Sequence, residues 1–77
     1  MSLPNDMIQV FRELISANYR NGQSIVYTRD VVKRIEEIPG KFVINWFNVE
    51  IFFQTWWNVT VCDPGKDDAY FTFTEKE

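Results

Sequence analysis

The chain has 77 residues, a formal charge of −3, and is 45% hydrophobic, 25% charged and 17% aromatic. So short a chain has room for one core and therefore one domain, and its apolar share excludes a disordered polyelectrolyte. It has no histidine and a single cysteine, which removes the commonest general base, a disulfide framework and a cysteine-built zinc site.

Seven Phe, three Trp and three Tyr supply the area from which a small core is built. The charge is uneven. Residues 1–40 hold five basic and five acidic residues, whereas residues 41–77 hold three basic and six acidic, which accounts for the whole net charge. A duplex-binding domain ordinarily carries a basic excess, so the composition disfavours DNA as a partner. The start, Met1-Ser2-Leu3-Pro4-Asn5-Asp6, shows no signal-peptide pattern, and no apolar run approaches the roughly 20 residues of a membrane span. With one thiol, Cys62, these features lead us to expect a cytoplasmic protein. Asn58-Val59-Thr60 matches a glycosylation sequon and is read as chance.

The first element is an amphipathic helix over about residues 4–20. Met7, Ile8, Phe11, Leu14 and Ile15 recur at helical spacing. Ser2 or Asn5 suits the cap, Pro4 and Asp6 the first turn, and Gly22 a left-handed stop. Ser24-Ile25-Val26-Tyr27 is short and β-rich. Thr28 then reads as the N-cap of a second helix running to about Glu37, with Val31, Val32, Ile35 and Ile38 inward and Asp30 paired with Arg34 four residues on. Pro39-Gly40 ends it.

Residues 42–62 fit two periodicities. On a helix, residues 45–58 place Trp46, Val49, Phe52, Phe53, Trp56 and Trp57 on one face, with Asn45 as cap, and leave Phe47 and Ile51 among polar neighbours. On a strand, Phe47, Val49, Ile51, Phe53, Trp57, Val59 and Val61 form one face. β-propensity favours the strand. Length favours the helix, because a strand of about 20 residues is far beyond the usual 5–6. The reading adopted is helix for 45–56 and strand for 58–62. A second strand over 69–74 follows the turn-rich Asp63-Pro64-Gly65-Lys66-Asp67-Asp68, giving a C-terminal hairpin.

Helix, short strand, two helices and a hairpin: this order, over about residues 4–74, resembles the winged-helix superfamily. The resemblance is one of layout, with no diagnostic motif. It implies an α+β fold with three helices and a C-terminal β-hairpin, in which the second and third helices form a helix-turn-helix and the hairpin is the wing. It also implies one of two roles, DNA reading or protein docking. For DNA reading, Asn48, Gln54, Thr55 and Asn58 would face bases, and Arg20, Arg29, Lys33, Lys41 and Lys66 would anchor phosphates. Two departures stand out. The connection from Ile38 to Ile44 is long for a tight turn, and the third helix has no Lys or Arg and carries Glu50.

The run Trp46-Phe47, Phe52-Phe53, Trp56-Trp57 could offer a stacking platform for single strands, but such platforms accompany a basic groove, so core is the plainer reading. Asp63, Asp67 and Asp68 lack calcium-loop spacing. Cys62 has no histidine to activate it. These residues point to a non-catalytic protein-interaction module, a small regulator or inhibitor within a nucleic-acid-handling assembly. No cofactor, metal, small-molecule substrate or membrane is expected. The expected partner is another protein or a second copy, met through Phe47, Ile51 and Gln54. The alternative is a winged-helix DNA-binding transcriptional regulator.

Overall fold

The computed structural model describes residues 4–40 and 45–76. The apolar spacing near the N-terminus produces α1, Asn5–Asn18. Pro4 occupies the N-cap without a side-chain hydrogen bond, and Asp6 lies in the first turn, where the positive end of the helix dipole favours a carboxylate. Met7, Val10, Phe11 and Ile15 are buried. The helix stops short of residue 20, with Tyr19 already extended. Gly22 is not its stop. Asn21 (φ 52°) and Gly22 (φ 81°) are the central pair of a two-residue turn in which Arg20 and Gln23 exchange backbone hydrogen bonds of 2.7 and 3.1 Å. Two successive positive φ values explain the Asn-Gly pair at this position.

The turn feeds β1, Gln23–Tyr27, which runs directly into α2, Thr28–Glu36. Thr28 does not cap this helix; Tyr27 holds that position. The Thr28 hydroxyl instead donates to the Ala69 carbonyl at 3.1 Å, beside its own backbone N–H at 2.9 Å. Val31 and Ile35 are buried and Ile38 is half-buried, but Val32 is exposed. The expected Asp30–Arg34 pair also gives way, since Arg34 reaches across to Glu13 of α1. Inter-helix packing brings a carboxylate from a neighbouring element within reach, which intrahelical spacing does not register.

In the contested stretch the structure is helix, then strand. α3 spans Trp46–Phe53, ending three residues earlier than expected, and Gln54–Trp56 form a turn. β2 begins at Trp57 and runs to Cys62. Asn45 caps α3: its side chain accepts from the backbone N–H groups of Phe47 (3.0 Å) and Asn48 (3.4 Å). The expectations that involve Ser2, Lys41 and residues 42–44 fall outside the described residues.

β3, Tyr70–Glu75, is the middle of a three-stranded antiparallel sheet ordered β1-β3-β2. The strand order goes beyond the expected C-terminal hairpin, because β1 pairs along the other side of β3. The register aligns Val26, Phe71 and Val61 in one row, and Ser24, Phe73 and Val59 in the next. Alternation along the strands aims both rows at the helices. There Phe11 is wholly buried, with ring centroids 5.6 Å from Phe53, 5.8 Å from Phe71 and 6.4 Å from Phe73. Ser24 is a buried polar residue whose hydroxyl donates to the Ile15 carbonyl at 2.8 Å, giving a carbonyl in the last turn of α1 a partner.

Candidate functional site

α3 is apolar on more than one side. Its core side carries Val49 and Phe53, both buried, with Trp46 and Phe52 packed against the same cluster. Trp46 lies 5.8 Å from Phe71 and Phe52 lies 5.3 Å from Trp56, centroid to centroid. These contacts saturate the inward face. At 100° per residue, Phe47 and Ile51 lie one turn apart on the opposite side. Phe47 is 66% exposed and Ile51 44% exposed. Gln54, the C-cap residue, still has helical dihedrals and extends the same side by almost another turn. It too is exposed. The structure thus gathers Phe47, Ile51 and Gln54 on one face, bordered by Glu50.

The residues considered for nucleic acid are placed differently. Asn48 is half-buried, and its backbone N–H is taken by the Asn45 cap. Arg29 sits over the Tyr27 ring, its guanidinium carbon 5.0 Å from the centroid. Tyr27 in turn meets Tyr70 across the sheet at 5.5 Å. Lys33 is exposed on α2. Lys66 is exposed in the loop between β2 and β3, where its N–H bonds to the Asp63 carbonyl at 3.2 Å and Asp67 and Asp68 follow in sequence. Gln54 is therefore the one member of that set on the exposed side of α3. Arg29, Lys33 and Lys66 stand on α2 and in the β2–β3 loop.

Helical spacing alone places Trp56 in the buried stripe. It is 53% exposed, because α3 ends at Phe53 and the following turn rotates it outward. Among the described residues, no group of three His, Cys, Asp or Glu side chains gathers to hold a metal. No described helix is long and apolar enough to cross a membrane. Compared with known proteins, the chain matches no family model, no curated protein and no solved structure.

Proposed function

We propose that this chain is a non-catalytic protein-interaction module, winged-helix-like in layout, that meets its partner through the outer face of α3. The observation that carries the reading is the exposure of Phe47 and Ile51 one turn apart on a capped helix. Two large apolar groups bordered by Glu50 and Gln54 have the composition of an interface core with a polar rim. Covering each would contribute at most about 1.5–3 kcal/mol by area transfer. The helix–strand–helix–helix–strand–strand order supports the winged-helix layout, and Asn45 as the cap of α3 supports an independent third helix. The acidic excess of residues 41–77 suits a partner with a basic surface, through steering more than through affinity. This is the charge expected of a small regulator or inhibitor working beside nucleic-acid-binding proteins. The free thiol of Cys62 accords with a reducing compartment such as the cytoplasm.

The DNA-reading alternative has less behind it, because α3 bears no Lys or Arg. Phosphate contacts would rest on cations of other elements, and a gel-shift titration should show no salt-sensitive duplex binding at micromolar concentration.

The test of the interaction reading is the double variant Phe47→Ser plus Ile51→Ser. Sedimentation velocity and chemical cross-linking in extract, compared with the parent, should show self-association or partner capture in the parent only. Identical sedimentation and identical cross-linked species for the two proteins overturn the reading.

A further inference from the structure

Away from the outer face of α3, the start of β2 and the end of α1 enclose a groove of about 510 Å³ lined by Arg12, Ile15, Ser16, Tyr19, Phe53, Trp56 and Trp57. Ile15 and Phe53 form its buried floor. Trp56 stands exposed at its edge. Tyr19 and Trp57 meet edge to face with centroids 6.3 Å apart. The volume is that of an ordinary ligand site, and such sites combine apolar walls with a few placed polar groups. Here the placed charge is Arg12. It is exposed, and among the described residues no carboxylate lies within ion-pair distance of it, the one such pair being Arg34–Glu13.

Glu75 does not line the groove but is tied to one of its walls. Its Oε1 accepts the Tyr19 hydroxyl proton at 2.5 Å. That hydrogen bond, with some desolvation and the nearby negative charge, raises the Tyr19 pKa above its ordinary value, so the phenol stays a donor. Arg12 is thus a cation at an aromatic groove with no counterion among the described residues, in a chain of net charge −3. A guanidinium of this kind pairs best with a carboxylate, through charge-assisted and often bidentate hydrogen bonds.

We propose that this groove binds a peptide segment in which a large apolar side chain is followed closely by a carboxylate. The apolar group fills the space over Ile15 and Phe53 against Trp56 and Trp57, and the carboxylate meets Arg12. The charge selects this occupant over a basic peptide, because Arg12 is the one charged residue among those that line the groove. The site is separate from the outer face of α3 and does not depend on it.

The test uses three blocked hexapeptides that share a Leu-Phe pair and differ only in their two following residues: glutamate, glutamine or lysine. Binding is read from the indole N–H resonances of Trp56 and Trp57 in ¹H–¹⁵N spectra of the whole chain. The glutamate peptide should shift both saturably, and the glutamine and lysine peptides should bind at least about tenfold more weakly, a difference of about 1.4 kcal/mol. Arg12→Gln, an exposed change that leaves the other resonances in place, should abolish the preference. Trp56→Ala should weaken all three peptides. Phe47→Ser plus Ile51→Ser should leave this titration unchanged, which separates it from the α3 reading. Equal binding by the three peptides, preference for lysine, or no shift of the indole resonances with the glutamate peptide would overturn the proposal.

Discussion

α1 and α3 are both built from closely spaced apolar residues, yet they spend them differently. α1 turns one stripe inward: Met7, Val10, Phe11 and Ile15 are buried, while Gln9, Arg12, Glu13 and Ser16 face outward. α3 has eight residues, six of them Trp, Phe, Val or Ile. A helix that short is little more than two turns long, so its inward side fills with Val49 and Phe53, flanked by Trp46 and Phe52, and Phe47 and Ile51 are left outside. In α1 apolar residue and buried residue mean nearly the same thing. In α3 they do not, and the surplus is surface. Exposed apolar groups on a small domain cost solubility unless something covers them, which is why the surplus carries the functional reading.

The largest expected effect lies on the α1 side of this comparison. Phe11→Ala removes the ring at the centre of contacts with Phe53, Phe71 and Phe73 and leaves a void where helices and sheet meet. Buried Phe truncations cost about 3–5 kcal/mol, and domains of this size have little more than that in total. The variant should lose its cooperative thermal transition. A midpoint within a few degrees of the parent would mean that the aromatic cluster is redundant, and the contrast with α3 would lose its basis.

Next in size is Ser24→Ala. It strips the Ile15 carbonyl of its side-chain partner in a buried setting, for which about 1–3 kcal/mol is the usual penalty. Urea unfolding should show that loss at an unchanged m-value. A stability equal to the parent's would mean that the last turn of α1 finds another donor.

Asn45→Ala addresses what holds α3 in place if its outer residues do not. The Asn45 side chain serves two N–H groups of the first turn, and removal of such a cap costs about 1 kcal/mol. The measurement is the urea midpoint, with exchange rates of the amides of residues 47 and 48 as the local readout. Faster exchange confined to α3 supports a helix fastened by its cap and its inner face. An unchanged pattern means that packing alone fixes the start of the helix.

The cap was legible in the sequence because it is local: an Asn directly before a helical stripe has one residue of context to satisfy. What was not legible depends on distant residues. Thr28 has the chemistry of a cap, but the Ala69 carbonyl, 41 residues on, takes its hydroxyl. Arg34 has Asp30 at the right spacing, but Glu13 of α1 approaches from outside the helix. The pairing of β1 with β3 leaves no trace in periodicity, since alternation shows which side of a strand is apolar but not which strand lies beside it. Trp56 was misplaced for a related reason, because a stripe drawn through residue 56 presumes a helix that continues, and α3 ends at Phe53. The outer pair Phe47 and Ile51 followed from helical angle alone. The Arg12 groove did not, since it joins α1 to a turn more than 40 residues away.

The smallest expected effect is the most informative about the comparison. Phe47→Ser plus Ile51→Ser changes two of the six apolar residues of α3, and both face outward. Surface substitutions of this kind ordinarily stay within about 0.5 kcal/mol. Serine has a lower helix propensity than the best helix formers but one close to that of Phe and Ile, so the helix itself loses little. The thermal midpoint should therefore barely move while association or partner capture falls. Contrast this with Phe53→Ala, which removes a buried ring from the same helix and should cost about 3–5 kcal/mol. If the outer double variant destabilised the chain as much as the inner single one, Phe47 and Ile51 would be core. The period-two arrangement that puts Phe47, Val49, Ile51 and Phe53 on one buried face would then describe this stretch better than a helix with two sides. If the two differ as expected, the apolar residues of one short helix divide between those that hold the fold and those that are free to meet something else.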